Sequence, residues 1–317
     1  MPQPTVNDLH VVAALTNVSV AYIQDQSNFI SMNIAPMVPV QFKSDKYHVF
    51  NSPDFRRNTA KPRAAGKESA GTGFNVSQET YTCEVYALHE DVSEQARANT
   101  DPGIDLDRAA SILVTQQMMI QKETQWATDF WTTGIWGTDV VGGTDFVVWS
   151  DGASDPEKDI ADGRVAMVKR TGMMPNTLVV SMGTHEALKR HPLIKDNFKY
   201  TSSASITTAM LAAYFEVDRY MVARASYTTS AELAATETNA FILGNNALLA
   251  YVASTPGIMV PSAMYTFVWS GFLGSASGFR IATIPAPLLR SDRVEGEWAY
   301  DHKVVSAPCG YFFSGTV

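Results

Sequence analysis

The longest regular pattern of hydrophobic and polar positions runs through residues 105–133. Apolar residues recur there at the three- and four-residue spacing of a helix, with glutamines and charged residues between them. Asp105 can cap the amino-terminal end, and Gly134 follows the carboxyl-terminal end. The pattern predicts one helix of about 28 residues, roughly 40 Å long. Met118 and Met119 are assigned to the core rather than to a cofactor pocket. The apolar positions that define the predicted buried face are Leu106, Ala109, Leu113, Ile120, Ala127 and Phe130.

A two-residue alternation, typical of strands, lies on both sides of a polar segment. The two runs are QFKSDKYHVF, from residue 41, and FNVSQETYTCEVYAL, from residue 74. They predict a long two-stranded hairpin at 41–85. Its centre, RRNTAKPRAAGKESAGTG, carries few apolar side chains, so burial within the chain cannot stabilise it. We therefore expect another molecule to hold the tip, and the alternative is a solvated loop.

The charge changes sign along this part of the chain. Residues 41–73 contain seven basic and three acidic side chains, whereas 79–107 contain eight acids and one base. In a repeating assembly the basic tip can pair with the acidic segment of an adjacent copy, although it can also fold back on its own chain. The basic candidates for this contact are Arg56, Arg57, Lys61, Arg63 and Lys67. The acidic candidates are Glu84, Glu90, Asp91, Glu94, Asp105 and Asp107.

The region after residue 155 alternates helical and strand-like patterns, which predicts a compact mixed module. A glycine- and aspartate-rich stretch, 135–155, indicates a domain boundary near 155. The predicted elements are the helix EKDIADGRVAMVKRTG, the buried strand TLVVS, the helix THEALKRH, a loop through KDNFKYTS, a helix around ITTAMLAAYFEV, and the strands RYMVARAS and NAFILGNNALLAYV. From about residue 265 the pattern is rich in strands, and CGYFFSGTV closes the chain as an apolar strand.

The stretch THEALKRHP, 184–192, contains a histidine–glutamate pair with a second histidine downstream. A zinc protease of the H-E-x-x-H type needs its two histidines four residues apart, on one side of a helix. That position holds Lys189, and His191 is rotated about 240° from His185. The spacing therefore favours two surface histidines on a short helix that Pro192 ends, and no metal site.

Ser181, at the end of TLVVS, superficially resembles a catalytic serine. The nucleophile motif G-x-S-x-G requires a glycine two residues earlier, where this chain has Val179. We predict that Ser181 caps the following helix. A hydrolase that uses Ser181 and His185 is the alternative from a different functional class, but the six histidines are scattered without ligand spacing.

Composition sets the broad class of the protein. The 317 residues are 45% hydrophobic and 18% charged, which is ordinary for a globular core. Cys83 and Cys309 form no disulfide framework and fit a reducing compartment. The first ten residues do not resemble a secretory signal, and no apolar run approaches the roughly 20 residues of a membrane span. The net charge of −8 argues against a general nucleic-acid binder, but it does not exclude a protein that lies beside nucleic acid without binding it.

The order of these segments resembles that of the HK97-like major capsid proteins of tailed bacteriophages. The resemblance covers most of the chain, and the order carries more weight than any single motif. It implies an α+β protomer with the HK97-like fold, in which the strand and helix at 177–191 do no chemistry. The residues that carry it are the basic hairpin 41–85, DPGIDLDRAA at 101–110, PNTLVVS and ALKRHP within 175–192, and RVEGEWAYDHKVV and CGYFF within 293–313. The implied segments are an N-terminal arm (1–40), an E-loop hairpin (41–85), a peripheral domain with a spine helix (86–155), an axial domain (156–265), and return strands to the peripheral domain with a C-terminal strand (266–317).

The resemblance further implies self-assembly into hexamers and pentamers. These form an icosahedral head around double-stranded DNA, without a cofactor, a metal or sequence-specific DNA binding. The other implied partners are a portal, a decoration or cement protein and a scaffolding protein. Because only residues 1–40 precede the hairpin, we expect that scaffold to be a separate protein. The implied location is the virion, with the host cytoplasm during assembly.

Two finer expectations concern the hairpin. Some members of the family crosslink an E-loop lysine to an asparagine of a neighbour, and Lys61 and Lys67 lie in the matching region, but no partner can be identified. Charge reversal of Arg56 and Arg57 is expected to impair shell assembly while the protomer stays folded. The nearest alternative is an encapsulin-type compartment with the same fold, and the long helix argues against a tail-tube subunit.

Overall fold

The computed structural model describes residues 23–50, 52–100, 105–199, 206–231, 234–257, 259–275 and 277–317. Most of the predicted N-terminal arm, 1–22, therefore lies outside the described residues. The helices are α1 (Ser31–Ile34), α2 (Glu94–Ala98), α3 (Leu106–Phe130), α4 (Pro156–Thr171), α5 (Met182–Arg190), α6 (Pro192–Phe198), α7 (Thr208–Tyr214) and α8 (Ser270–Leu273). The strands are β1 (Met37–Val40), β2 (Ser44–Phe50), β3 (Val76–Thr82), β4 (Glu84–Ser93), β5 (Thr138–Val141), β6 (Thr177–Ser181), β7 (Arg219–Ala223), β8 (Ser226–Thr228), β9 (Asn239–Phe241), β10 (Ala247–Ala250), β11 (Met264–Trp269), β12 (Phe279–Ala286), β13 (Ser291–Val304) and β14 (Gly310–Ser314).

Two five-stranded sheets form the framework of the protein. The first sheet is built around β13, which pairs with β4, β11 and β12, and β1 adds in parallel to β11. The second sheet has the order β5-β14-β10-β6-β7. The C-terminal strand β14 thus lies in the second sheet beside β10, rather than with the strands that precede it in sequence. The limits of the predicted domains stay predictions.

The long helix α3 joins the two sheets. Near its start it packs Val114 and Met118 against Trp298 of the first sheet, and at its end Trp126 and Phe130 enter the core that reaches the second sheet. A separate core on the other side of the second sheet is covered by helices α4 to α7. Helix α3 is therefore the structural link between the two layers.

The predicted α3 begins at the expected residue and buries Phe130 as predicted, but its buried face also includes residues outside the predicted one. Asp105 accepts a hydrogen bond from Arg108 N and caps the helix, and the core position of Met118 and Met119 is confirmed. The predicted inward residue Leu113, in contrast, is 45% exposed. The residues that are buried along α3 are Ala110, Val114, Gln116, Met118, Met119, Lys122, Glu123, Trp126 and Phe130.

The shifted face of α3 follows from two buried charges. Nζ of Lys122 lies 4.1 Å from the centre of the Trp298 ring, and burial lowers the pKa of Lys122 to about 8. The carboxylate of Glu123 accepts hydrogen bonds from the backbone N–H groups of Ile30 and Ser31, at 3.1 and 2.9 Å. Burial nevertheless raises the pKa of Glu123. The sequence pattern places both charged residues on the solvent side of the helix. The predicted buried face is therefore rotated relative to the observed one.

A second correction concerns the segment after α5. The sequence predicts a loop through KDNFKYTS, but the chain forms helix α6 over Pro192–Phe198. Pro192 ends α5 as expected and then occupies the first turn of α6, where its missing N–H costs no hydrogen bond. Ile194 of this helix is buried in the core of the second sheet.

Candidate intersubunit surfaces

The predicted two-stranded hairpin is present. Strands β2 and β3 pair antiparallel, from Ser44 opposite Thr82 to Phe50 opposite Val76. A short 3-10 turn, Ser52–Arg56, follows β2, and residues 57–75 contain no regular secondary structure and are exposed. The hairpin thus presents a polar loop of basic character, which we call the basic tip.

Arg56 does not project from this tip. Its guanidinium donates hydrogen bonds to the backbone carbonyls of Arg170 and, at 2.9 Å, of Lys169. These carbonyls lie at the carboxyl-terminal end of α4, where the helix dipole favours a positive charge. Arg56 therefore attaches the hairpin to its own chain.

Arg57 also has an intrachain partner. Its guanidinium lies 3.1 Å from a carboxylate oxygen of Asp54, whose other oxygen accepts a hydrogen bond from the N–H of Asn75 at 2.9 Å. Asp54 is buried, so this group joins the two ends of the exposed loop. The intersubunit contact of Arg56 and Arg57 stays a prediction, but both residues also hold the hairpin in its own protomer, so reversing their charge would alter the protomer as well.

The remaining basic candidates are available for a neighbour. Lys61, Arg63 and Lys67 are exposed, and none of them forms an ion pair within the part of the chain that the structure describes. The loop turns at Gly66, which has a φ of 75°, and the N–H of Lys67 donates to the carbonyl of Ala64. These three side chains are the free positive charges of the basic tip.

Four of the six acidic candidates are engaged within the protomer. Asp105 caps α3, and Asp107 binds Arg97, which also binds Asp292. The two carboxylates raise the pKa of Arg97 above its ordinary value. This group joins α2, α3 and β13. The other two pairs are Asp91 with Arg293 at 2.8 Å and Glu84 with Lys43 at 3.4 Å.

Two acidic candidates stay unpaired among the described residues. Glu90 lies on β4 opposite Val294, and Glu94 begins α2. Both are exposed, and neither forms an ion pair in the described ranges. If the basic tip contacts a neighbour through these candidates, Glu90 and Glu94 are the carboxylates that would not have to give up an ion pair within their own protomer.

An aromatic cluster on the hairpin was not predicted from the sequence. Phe50, Phe55 and Phe74 approach one another with ring centres 5.6 to 6.2 Å apart. Phe55 and Phe74 are 53% and 59% exposed. Their sequence signal is three phenylalanines in an otherwise polar segment, but only the pairing of β2 with β3 brings them together.

A cavity of about 720 Å³ opens beside this cluster. We call it the hairpin groove. It lies between the hairpin, the first sheet and the loops around Met173 and Val260. Its apolar walls include Val38, Tyr47, Val49, Phe50, Tyr265 and Phe267.

The candidate residues for a zinc or serine enzyme, Ser181, His185 and His191, make structural contacts. Oγ of Ser181 accepts a hydrogen bond from the N–H of Thr184 at 3.2 Å, which confirms the predicted helix cap. His185 and His191 are buried, so their predicted surface position is wrong. Nδ1 of His185 lies 3.0 Å from the hydroxyl of Tyr220, and burial lowers the pKa of His185. Nε2 of His191 contacts Oγ of Ser154 at 3.0 Å.

Two further features bear on other function classes. Within the described ranges, no group of three or more histidine, cysteine or acidic side chains is placed to hold a metal ion. No helix in those ranges is long and apolar enough to cross a membrane.

Comparison with known proteins gives a consistent picture. No family model matches the sequence. The major capsid protein of Burkholderia phage BcepMu is 24% identical over 245 residues, 75% of either chain. The crystal structure of a phage-related protein from Bordetella bronchiseptica matches with a TM-score of 0.71 and 23% identity, over 97% of both chains. The mature capsid of bacteriophage PhiM1 matches with a TM-score of 0.61 and 13% identity, over 94% of this chain and 89% of that chain.

A protein of the alternative compartment class also shares the architecture. An encapsulin from Synechococcus elongatus matches with a TM-score of 0.51 and 12% identity, over 99% of this chain and 96% of that chain. At these identities the structural matches speak for the fold alone. The chain has the HK97-like fold, as the resemblance in sequence predicted.

Proposed function

We propose that this chain is a major capsid protein, copies of which assemble into the icosahedral head of a tailed phage. The observation that carries the proposal is the HK97-like fold over nearly the whole chain, together with a curated relative that is named a major capsid protein. The role is structural rather than enzymatic. The contacts of Ser181, His185 and His191 support it, since they are those of a helix cap and of core side chains.

In the proposed head, the protomers form hexamers and pentamers. The surfaces that would join them are extended, as a closed shell requires, because the same contact must recur with small differences in angle. The basic tip would pair with Glu90 and Glu94 of an adjacent copy. Each such exposed ion pair is weak, but many of them act together in a shell.

The proposed contents are double-stranded DNA, held without recognition of its sequence. The net charge of −8 supports this, because a negative inner wall repels the phosphates. A scaffolding protein, a portal and a decoration protein are the further proposed partners. Assembly would take place in the host cytoplasm, and the finished protein would belong to the virion.

Electron microscopy of the purified chain, expressed alone and with a candidate scaffold, tests the proposal. We expect closed particles or capsomer-like rings. A monomer under every condition would contradict the proposal. The contents of phage-derived particles separate the two shell functions, because a genome is expected for a head and a cargo enzyme for an encapsulin-type compartment.

A further inference from the structure

The turn between β12 and β13 exposes an apolar tip. Pro287, Leu288 and Leu289 form a 3-10 turn, and Leu288 is fully exposed while Leu289 is 60% exposed. A projecting run of large apolar side chains has a cost in water and often marks an interaction site. We call these three residues the apolar turn.

The apolar turn is held in one conformation. The strands on either side pair up to Ala286 opposite Ser291. Arg290 closes the turn in the left-handed region, with a φ of 46°, and its carbonyl accepts a hydrogen bond from the N–H of Glu94 at 3.0 Å. A partner that binds this turn therefore does not have to order it first, which favours binding.

The hairpin groove is an apolar concavity that can receive the apolar turn. Its volume of about 720 Å³ exceeds what two leucine side chains fill, and Phe55 continues its apolar surface to the exterior. The groove and the turn cannot meet within one protomer. The turn directly precedes Ser291, the first residue of β13, whereas Val305 and Ser306 of the groove directly follow its last residue. Strand β13 separates them by roughly 45 Å at 3.3 Å per residue.

The charges beside the two surfaces are complementary. Lys61, Arg63 and Lys67 lie in the exposed loop that follows the groove residues Phe55 and Arg56 in sequence, and Glu90 and Glu94 lie near the end of β4 that contacts the turn. Arg293, near the turn, is paired with Asp91, so Arg290 is the basic side chain that offsets these two acids. The surface around the turn keeps a negative surplus that matches the basic tip.

We infer that the apolar turn of one copy inserts into the hairpin groove of the next copy. The apolar turn and the hairpin groove are different surfaces at opposite ends of β13. The contact is therefore heterologous and can propagate from copy to copy. This inference rests on the proposed assembly into a shell. It adds an apolar anchor to the charge pairing at the basic tip.

Cysteine crosslinking in assembled particles tests the inference. Leu288→Cys combined with Phe55→Cys should, after oxidation, give a ladder of dimers, trimers and longer covalent chains on a denaturing gel. Either single variant should give no ladder. The matched control combines Phe55→Cys with Leu193→Cys, which replaces an exposed leucine of α6, and should also give none.

The absence of a ladder from intact double-variant particles would overturn the inference. That result is also expected if the chain's own N-terminal residues, or another protein, fill the groove. Particle formation by the unaltered chain is the separate readout for the proposed function. If that chain forms no particles, the proposed function fails. If particles form without the ladder, only the present inference fails.

A second variant measures the anchor without a covalent bond. Leu288→Ser should raise the critical concentration for assembly at least about tenfold, because a buried leucine side chain is lost from every copy. Leu193→Ser should leave that concentration unchanged. The thermal unfolding midpoint of the protomer should stay the same in both, since both side chains are exposed. An unchanged critical concentration for Leu288→Ser would contradict the inference.

Discussion

At the scale of single residues, the unusual feature is the pair of adjacent buried charges on α3. Lys122 is 1% exposed, and the described contacts of its ammonium group are with the faces of Trp298 and Tyr300. Glu123, in contrast, has two backbone hydrogen bonds and holds the start of α1. A buried ion without hydrogen bonds costs free energy, and burial lowers the pKa of Lys122 despite the neighbouring Glu123 carboxylate. Lys122 is therefore a position where the native residue lowers stability.

Lys122→Met should raise the free energy of unfolding at pH 7 by about 1–3 kcal/mol. The pKa of Lys122 is lowered from 10.5 to about 8 in the folded protein, so the unfolded chain binds the proton more tightly. The free energy of unfolding of the unaltered protein should therefore rise as the pH increases from 8 to 10.5. The difference in unfolding free energy between the variant and the unaltered protein should shrink by up to about 3 kcal/mol over that range. Urea unfolding at several pH values measures both effects.

The matched control for this prediction is Lys195→Met, which replaces an exposed lysine of α6. It should change the unfolding free energy little at any pH. A variant Lys122→Met that is less stable than the unaltered protein at pH 7 would mean that the contact with Trp298 outweighs the cost of burial.

At the scale of elements, the packing of α3 on the first sheet depends on a close approach at β13. A Cβ atom added to Gly296 would lie 2.6 Å from Cγ1 of Val114, a buried and stiff side chain. The conformation of Gly296 is ordinary, so the glycine is needed for space rather than for backbone freedom. The sequence pattern marks β13 as a strand but gives no sign that a helix crosses it at this residue.

Gly296→Ala should lower the free energy of unfolding by about 1–3 kcal/mol, because the overpacked helix must shift or Val114 must leave its rotamer. Thermal or urea unfolding of the protomer measures the loss. Gly244→Ala is the control, since a Cβ there meets no atom within 4 Å. Equal stability of the two variants would show that α3 can move away from the sheet without cost.

At the scale of the whole molecule, the protomer carries its complementary charges on different extensions. The basic tip lies at the end of the β2–β3 hairpin, and Glu90 and Glu94 lie beside β13 on the first sheet. Arg56 and Arg57 stabilise the hairpin within its own chain, so an assembly test should leave them unchanged. Lys61, Arg63 and Lys67 can be reversed without loss of a described ion pair.

Reversal of Lys61, Arg63 and Lys67 to glutamate should raise the critical concentration for assembly at least about tenfold, since repulsion recurs at every contact of the shell. Light scattering during assembly measures this concentration. Adding Glu90→Lys and Glu94→Lys to the same chain should recover much of the loss. The charge-matched control reverses three exposed basic residues that form no described ion pair, Lys169, Lys195 and Arg224. An equal effect of the control, or no recovery after the exchange of signs, would contradict the proposed pairing.

The sequence by itself determined the elements whose signals are local. The start of α3 at the cap Asp105, the two strands of the hairpin and the cap at Ser181 all follow from residues within one or two turns or strands. The order of these elements was sufficient to identify the HK97-like fold. Local spacing also argued against a metal site at His185.

Only the tertiary structure decided which polar groups are buried and which apolar groups are exposed. Lys122 and His185 are buried because Trp298 and Tyr220, far away in sequence, supply their contacts. Strand β14 joins the second sheet, and Arg56 binds the end of α4, for the same reason. Leu288 is exposed because the described fold brings no surface of its own protomer against the turn. Whether a residue is buried depends on the residues that pack against it as well as on its own side chain. A contacting residue that is distant in sequence leaves no periodic signal in the hydrophobic pattern.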